Sequence, residues 1–196
     1  MSKFPSRVDL QNYFFRDLKI SDFFQLHKMY DSLDNKKTKL FFDLYWLGLK
    51  PKSPKWFLAQ VPLFLSTIKI FRRIIINLYP YIIFLSKVVV EEKKIIAYGF
   101  LIIRKRFNKK SFSAELGVAV ADNYQGRGIG SIMIEELIKF AKEERIKKIF
   151  LTTRVDNIKA QKLYKKFGFS IEKLLKNEVE WQGKKYDMYK MSLVLK

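Results

Sequence analysis

Cysteine is absent from this chain, which excludes disulfides, thiolate metal sites and cysteine nucleophiles together. Histidine is nearly absent: the lone His27 cannot build a histidine metal cluster and is read as a satisfied surface or core side chain. No metal site is expected. Acidic residues are scarce, 19 against 39 Lys and Arg, giving a net charge of +20. Such a field attracts phosphates, nucleic acid, acidic proteins or anionic lipid without choosing among them. There is no internal repeat and no Gly/Ser-rich or Pro-rich linker. Residues 1–15 carry Lys3, Pro5, Arg7 and Asp9 and no continuous apolar run, so no secretory signal is expected and the cytoplasm is the default location.

What is present is enough for a core. Of 196 residues, 48% are hydrophobic and 30% charged, which suits one folded domain over residues 1–196, if need be with an insertion. The insertion is expected at 48–80, where Pro51, Pro54 and Pro62 interrupt strongly apolar segments. No acidic residue occurs from Leu44 to Val90, whereas Lys50, Lys52, Lys55, Lys69, Arg72, Arg73 and Lys87 do. A helical insertion packed on the core, a dimer or partner surface, and an interfacial membrane element all fit this greasy, cationic stretch. A transmembrane span does not, because the charges and Pro80 break every window of about 20 apolar residues.

Elsewhere the periodicities alternate between strand and helix. Tyr13 to Ile20 reads as a strand, Ser21 as an N-cap, and Phe24, Leu26, Met29, Tyr30 and Leu33 as the apolar positions of a helix. A second helix is expected over 39–47. Tyr81 to Val90 and Ile95 to Lys105 are β-branched and aromatic runs at hairpin spacing around Glu91-Glu92-Lys93-Lys94, and Phe112 to Ala121 adds a third strand to the meander. A helix to about Arg145 carries Ile134, Leu137, Ile138 and Ala141 on one stripe, and a strand over 147–153 follows. Asp156 or Asn157 then caps a helix with Ala160, Leu163, Tyr164 and Phe167 inward, which Gly168 ends. A hairpin around Gln182-Gly183 closes the chain. The fold expected is α/β, a mixed, largely antiparallel central sheet flanked by helices, with one parallel crossover.

The chemistry-bearing segment is Gln125-Gly126-Arg127-Gly128-Ile129-Gly130, between a strand and a helix start. Glycines there let the backbone approach a ligand and leave amide hydrogens aimed at one point, where the helix dipole also favours negative charge. A diphosphate is the natural occupant. A Walker loop needs a lysine at the helix entry that Ile129-Gly130-Ser131 does not supply, and glycines at 126, 128 and 130 do not make the dinucleotide-binding Gly-x-Gly-x-x-Gly.

The spacing resembles instead the cofactor loop of the GNAT superfamily of N-acetyltransferases, Gln/Arg-x-x-Gly-x-Gly/Ala, matched by Gln125, Gly128 and Gly130. The resemblance extends over about 114–169, a cofactor-binding core, through the strand Glu115-Leu116-Gly117-Val118-Ala119-Val120 before the loop and Asn157-x-x-Ala160-x-x-Leu163-Tyr164-x-x-x-Gly168-Phe169 after it. It implies transfer of acetyl from acetyl-coenzyme A to a primary amine, by direct attack in a ternary complex. On that resemblance Val118, Ala119 and Val120 lie along the pantetheine arm, with backbone groups of Val118 and Val120 offered to it as though to an added strand. Gln125, Gly126, Arg127, Gly128, Ile129, Gly130 and Ser131 would wrap the pyrophosphate, Asn157 would face the arm, and Tyr164 would sit near the thioester sulfur as proton donor. An amide near Val118 would polarise the carbonyl. Glu115 is the candidate base, with a solvated strand carboxylate as its alternative. Asp122 stands where many relatives carry proline. The acceptor, a small molecule or a protein amine, is not encoded in any motif, and a homodimer, nucleic acid or an anionic membrane surface are partners that no motif supports. The alternative function is a basic nucleic-acid- or membrane-associated protein that uses the same fold for binding or for modifying a bound partner.

Overall fold

A computed structural model describes residues 13–33, 82–104, 112–181 and 183–195. The expected second helix at 39–47 and the 48–80 segment lie outside the described residues. Among the described residues seven strands form one sheet: β1 Phe14–Asp17, β2 Ile82–Glu91, β3 Lys94–Arg104, β4 Phe112–Val120, β5 Ile146–Arg154, β6 Ser170–Trp181 and β7 Lys184–Val194. Three helices among the described residues accompany them, α1 Phe23–Asp31, α2 Ile129–Glu143 and α3 Ile158–Lys166. The strand order is β1-β2-β3-β4-β5-β7-β6. Only β4 and β5 run parallel; their connection through α2 is the expected crossover, and the remaining pairs are antiparallel.

The meander of β2, β3 and β4 follows from the β-branched runs, and the hairpin between the first two turns on Glu92 (φ 44°) and Lys93 (φ 67°). Left-handed conformation at both central residues matches the strand twist, and here it is adopted without glycine. The closing hairpin adds a feature that periodicity does not encode. Strand β7 enters between β5 and β6, so the last strand pairs inward and β6 becomes an edge.

Alternation along the strands divides the core in two. On one face Ala114, Leu116, Leu101, Ile149, Leu151 and Met191 pack with Met133, Ile134 and Leu137 of α2, and Leu163, Tyr164 and Phe167 of α3 join them. On the other, Val88, Tyr98, Phe100 and Ala119 pack with Leu26 and Met29 of α1. Burial of each such Leu, Ile, Val or Met side chain stabilises by about 1.5–3 kcal/mol. Two glycines let the layers close. A Cβ on Gly99 would lie 2.6 Å from Met133 Cγ, so α2 rests directly on β3; one on Gly117 would lie 2.2 Å from Phe100 Cζ, so the tip of that ring occupies the space beside β4.

At the N-terminal end the structure departs from the expectation. The strand is shorter than Tyr13 to Ile20, and Ser21 is not the helix cap, because a 3-10 turn at Ile20–Asp22 intervenes. Buried Asp22 accepts the Lys19 amide at 2.7 Å and both Arg16 amino groups at 2.5 and 2.7 Å, tying strand to helix. Phe24, placed on the apolar face by its spacing, is 75% exposed, since Leu26 and Met29 already fill the contact with the sheet.

Candidate functional site

The site begins where the sheet comes apart. Strands β4 and β5 pair from Phe112↔Ile146 to Glu115↔Phe150 and no further, although β4 runs on to Val120 and β5 to Arg154. Their outer edges stay paired, β4 to β3 through Val120 and β5 to β7 through Arg154. Two strand edges therefore diverge and face each other across a wedge, with backbone groups available to an extended ligand. The Ala121 amide bonds Ile96 O at 2.8 Å, so by alternation the backbone groups of Ala119 also turn to β3 while those of Val118 and Val120 turn into the wedge. The Ala119 backbone therefore faces β3, and its side chain packs on the α1 side of the sheet. The Val120 carbonyl is already taken by Gln125 Nε2 at 3.2 Å.

The wedge opens towards the glycine turn. Gly126 (φ 79°) and Gly128 (φ 82°) both sit in the left-handed region, and Gly128 is the N-cap of α2. The first amide to bond within the helix is that of Ser131, to Gly128 O at 2.9 Å. Amides of Gly126, Arg127, Gly128, Ile129 and Gly130 find no acceptor among the described residues. Five donors at the positive end of a 15-residue helix make a fitting cradle for a diphosphate. The side chains around it are not all ligand-facing. Ile129 is 1% exposed and belongs to the core, and the Ser131 amide is spent inside the helix. Gln125 Nε2 also bonds Asp122 Oδ1 at 2.9 Å, so this side chain braces the turn from within. Arg127 is exposed, with its guanidinium carbon 4.9 Å above the Tyr124 ring.

Glu115 and Tyr164 belong to opposite faces of the sheet. Glu115 is buried at the last paired position of β4, opposite Ile102 and Phe150, and by alternation it lies on the face away from α2. Tyr164, on α3, lies on the α2 side, its ring 5.9 Å from that of Phe169. Loss of water on burial pushes the Tyr164 phenol up to about 12. It therefore holds its proton at neutral pH. Asn157 caps α3, its Oδ1 accepting the Ala160 amide at 3.2 Å, which leaves its Nδ2 amide for any further partner.

Sequence reading missed several residues that hold this arrangement. Gln161 donates to the carbonyls of Arg154 and Val155, at 3.2 and 2.7 Å, and so fixes the end of β5 against α3. Arg154 pairs with Asp156 and lies 4.0 Å over the Tyr186 ring. Tyr124 donates to Glu91 Oε2 at 2.5 Å, linking the glycine turn to the β2–β3 hairpin. Tyr124 adjoins the turn in sequence, but nothing local identifies Glu91 as its partner. Among the described residues no group of three or more His, Cys, Asp or Glu side chains is placed to hold a metal ion, and no helix is long and apolar enough to cross a membrane.

Residues 42–169, about two thirds of the chain, match the family model described as the acetyltransferase (GNAT) family. The chain belongs to that family. Among curated relatives, the L-amino acid N-acetyltransferase AaaT of Escherichia coli K12 is 36% identical over 87 residues, 44% of this chain and 54% of that protein. The chain spans about half the length of the curated relatives it matches. Among solved structures, a GNAT-family acetyltransferase from Streptococcus pneumoniae superposes with a TM-score of 0.69 at 20% identity, over 93% of this chain and 99% of that one. The Salmonella typhimurium protein yncA, solved with its cofactor acetyl-CoA, gives 0.67 at 15% identity over 95% of each chain. At these identities the structural likeness establishes the GNAT fold.

Proposed function

We propose that this GNAT protein is an N-acetyltransferase that moves acetyl from acetyl-coenzyme A to a primary amine by direct attack. One observation carries the reading: two strand edges diverge beyond Glu115 and open onto five amides that have no acceptor among the described residues. Val118 and Val120 would flank the pantetheine arm, joined by Ala119 in the strand and by the Asn157 amide. The amides of Gly126 to Gly130, with Arg127 beside them and the Ser131 hydroxyl next in line, would take the pyrophosphate. Acetyl-coenzyme A in that position supplies an acetyl group already activated as a thioester.

The two ionisable groups divide the proton work. Glu115, on the sheet face away from α2, would take a proton from the amine, directly or through water. Tyr164, on the other face, would give its proton towards the departing sulfur, a task that suits a phenol kept protonated. The Val118 amide in the wedge would polarise the carbonyl. The amine and the departing sulfur would then each meet a separate group, one on each face of the sheet.

Residues 1–196 would form one acetyltransferase domain, with 48–80 inserted and 114–169 as the donor-binding core. The L-amino acid acetyltransferase relative makes an amino acid one acceptor to try first, beside polyamines and protein amines. The cytoplasm is the proposed location. The test is thiol-detected transfer over an amine panel, with Glu115→Gln alongside. Transfer is expected for the parent, and the pH-rate profile should change in the variant. Calorimetry showing that the purified protein ignores both acetyl-coenzyme A and coenzyme A would overturn the reading.

A further inference from the structure

We propose that Tyr124, anchored by Glu91, is a positioning residue that holds Arg127 ready for the phosphates of the acetyl donor. The inference rests on the acetyltransferase reading of the site and deepens it. Tyr124 ends the 3-10 turn Asp122–Tyr124, whose backbone is pinned by Tyr124 N to Ala121 O at 2.8 Å and Gln125 N to Asp122 O at 3.2 Å. Its hydroxyl donates to Glu91 Oε2 at 2.5 Å, and its ring lies 4.9 Å under the Arg127 guanidinium carbon. Glu91 is the last residue of β2, directly before the tight turn at Glu92 and Lys93, so the anchor stands on a stiff hairpin.

The chain of contacts runs from hairpin to ring to guanidinium, and the guanidinium lies one residue from Gly126 and from Gly128. An arginine beside two left-handed glycines would otherwise sample many rotamers, and fixing them on binding weakens affinity. Stacking on Tyr124 restricts them in advance while the planar face leaves the N–H edges free to meet phosphate oxygens. Donation to a carboxylate also raises electron density in the phenol ring, which favours a cation above it. Glu91 thus acts on the donor through two intermediaries and touches none of the reacting atoms.

The experiment compares coenzyme A, measured by calorimetry, with acetyl-pantetheine, a donor that lacks the nucleotide diphosphate, measured by turnover. Tyr124→Leu and Arg127→Ala should each raise the coenzyme A dissociation constant about fivefold to tenfold. The double variant should be no worse than either alone, since both remove one stacked unit. Tyr124→Phe keeps the ring and its packing, loses the bond to Glu91, and should give about a threefold effect, which Glu91→Gln should share. Turnover with acetyl-pantetheine should be unchanged in Tyr124→Leu, Tyr124→Phe and Glu91→Gln. Additive effects in the double variant, equal loss with acetyl-pantetheine, or unaltered coenzyme A affinity in Tyr124→Leu would each overturn the inference. Failure of the parent protein to bind coenzyme A would remove the acetyltransferase reading itself.

Discussion

Three glycines in the turn look alike in sequence, and the structure assigns them different duties, which alanine substitution separates. Gly130 lies inside α2, and a Cβ there would meet Leu163 Cδ2 at 3.5 Å and Val120 Cγ2 at 3.7 Å, both ordinary contacts. Alanine should therefore be accommodated, and it gains roughly 0.4–1 kcal/mol from reduced unfolded-state freedom and better helix propensity. Gly126 has nothing within 4 Å of a Cβ, but its φ of 79° imposes left-handed strain of about 1–2 kcal/mol on alanine, and the same holds for Gly128 at φ 82°. At roughly 2–4 °C per kcal/mol for a chain of this size, Gly130→Ala should melt about 1–4 °C higher. The other two should melt about 2–8 °C lower by the same scaling. Scanning calorimetry with and without coenzyme A reads both stability and binding, and Gly130→Ala should keep the ligand-induced rise. If Gly130→Ala lost as much stability as Gly128→Ala, the division between a packing glycine and two conformational ones would be wrong.

Further outcomes follow from single contacts. Tyr164 has a folded pKa of about 12, above its ordinary value near 10. The folded state thus keeps a proton that the unfolded chain gives up, and its share of stability is complete below about pH 10 and declines as pH rises towards 12. In Tyr164→Phe that part of the alkaline decline should be missing from denaturation midpoints, and kcat should fall about tenfold or more with donor KM unchanged; equal turnover would leave Tyr164 a packing residue. Asp22 behaves in the opposite sense: burial would raise its pKa, but the Arg16 guanidinium and Lys19 amide outweigh burial and lower it. Its contribution is present above the ordinary carboxylate range and is lost as pH falls through the lowered value, so Asp22→Asn should be less stable than the parent at pH 7 and converge with it in acid. Gly117→Ala should cost about 1–3 kcal/mol in urea denaturation by displacing the Phe100 ring, and Phe100→Leu in the same chain should recover part of that loss.

Much of this fold is legible because local patterns and tertiary contacts agree. The runs forming β2, β3 and β4 are β-branched and lie at hairpin spacing; Ile134, Leu137 and Ala141 of the α2 stripe are buried as its period requires, joined by Met133, although Ile138 is only half-buried. Caps carry their own signal, as Asn157 and Gly168 do at the two ends of α3. What is not legible depends on partners distant in sequence. Nothing near Glu91 points to Tyr124, 33 residues on, and nothing in the last two strands says that β7 enters beside β5. The start of α1 misleads for a related reason: Ser21 is a good cap by type, but the pair of Arg16 with Asp22 shifts the helix start past it.

The wedge explains why a short motif can specify so much. Parallel pairing of β4 and β5 ends at Glu115↔Phe150, yet each strand stays held on its far side, so divergence costs few hydrogen bonds and requires no strained backbone in either strand. Gly117, two residues beyond Glu115, admits the Phe100 ring over β4, and Gln125 reaches back to the Val120 carbonyl. Those contacts fix the β4 side of the opening, while Gln161 fixes the β5 side through Arg154 and Val155. The opening is therefore set by side-chain contacts on both strands before any ligand arrives. Its geometry should be the same in the free and donor-bound protein, with Arg127 already stacked on Tyr124 beside it.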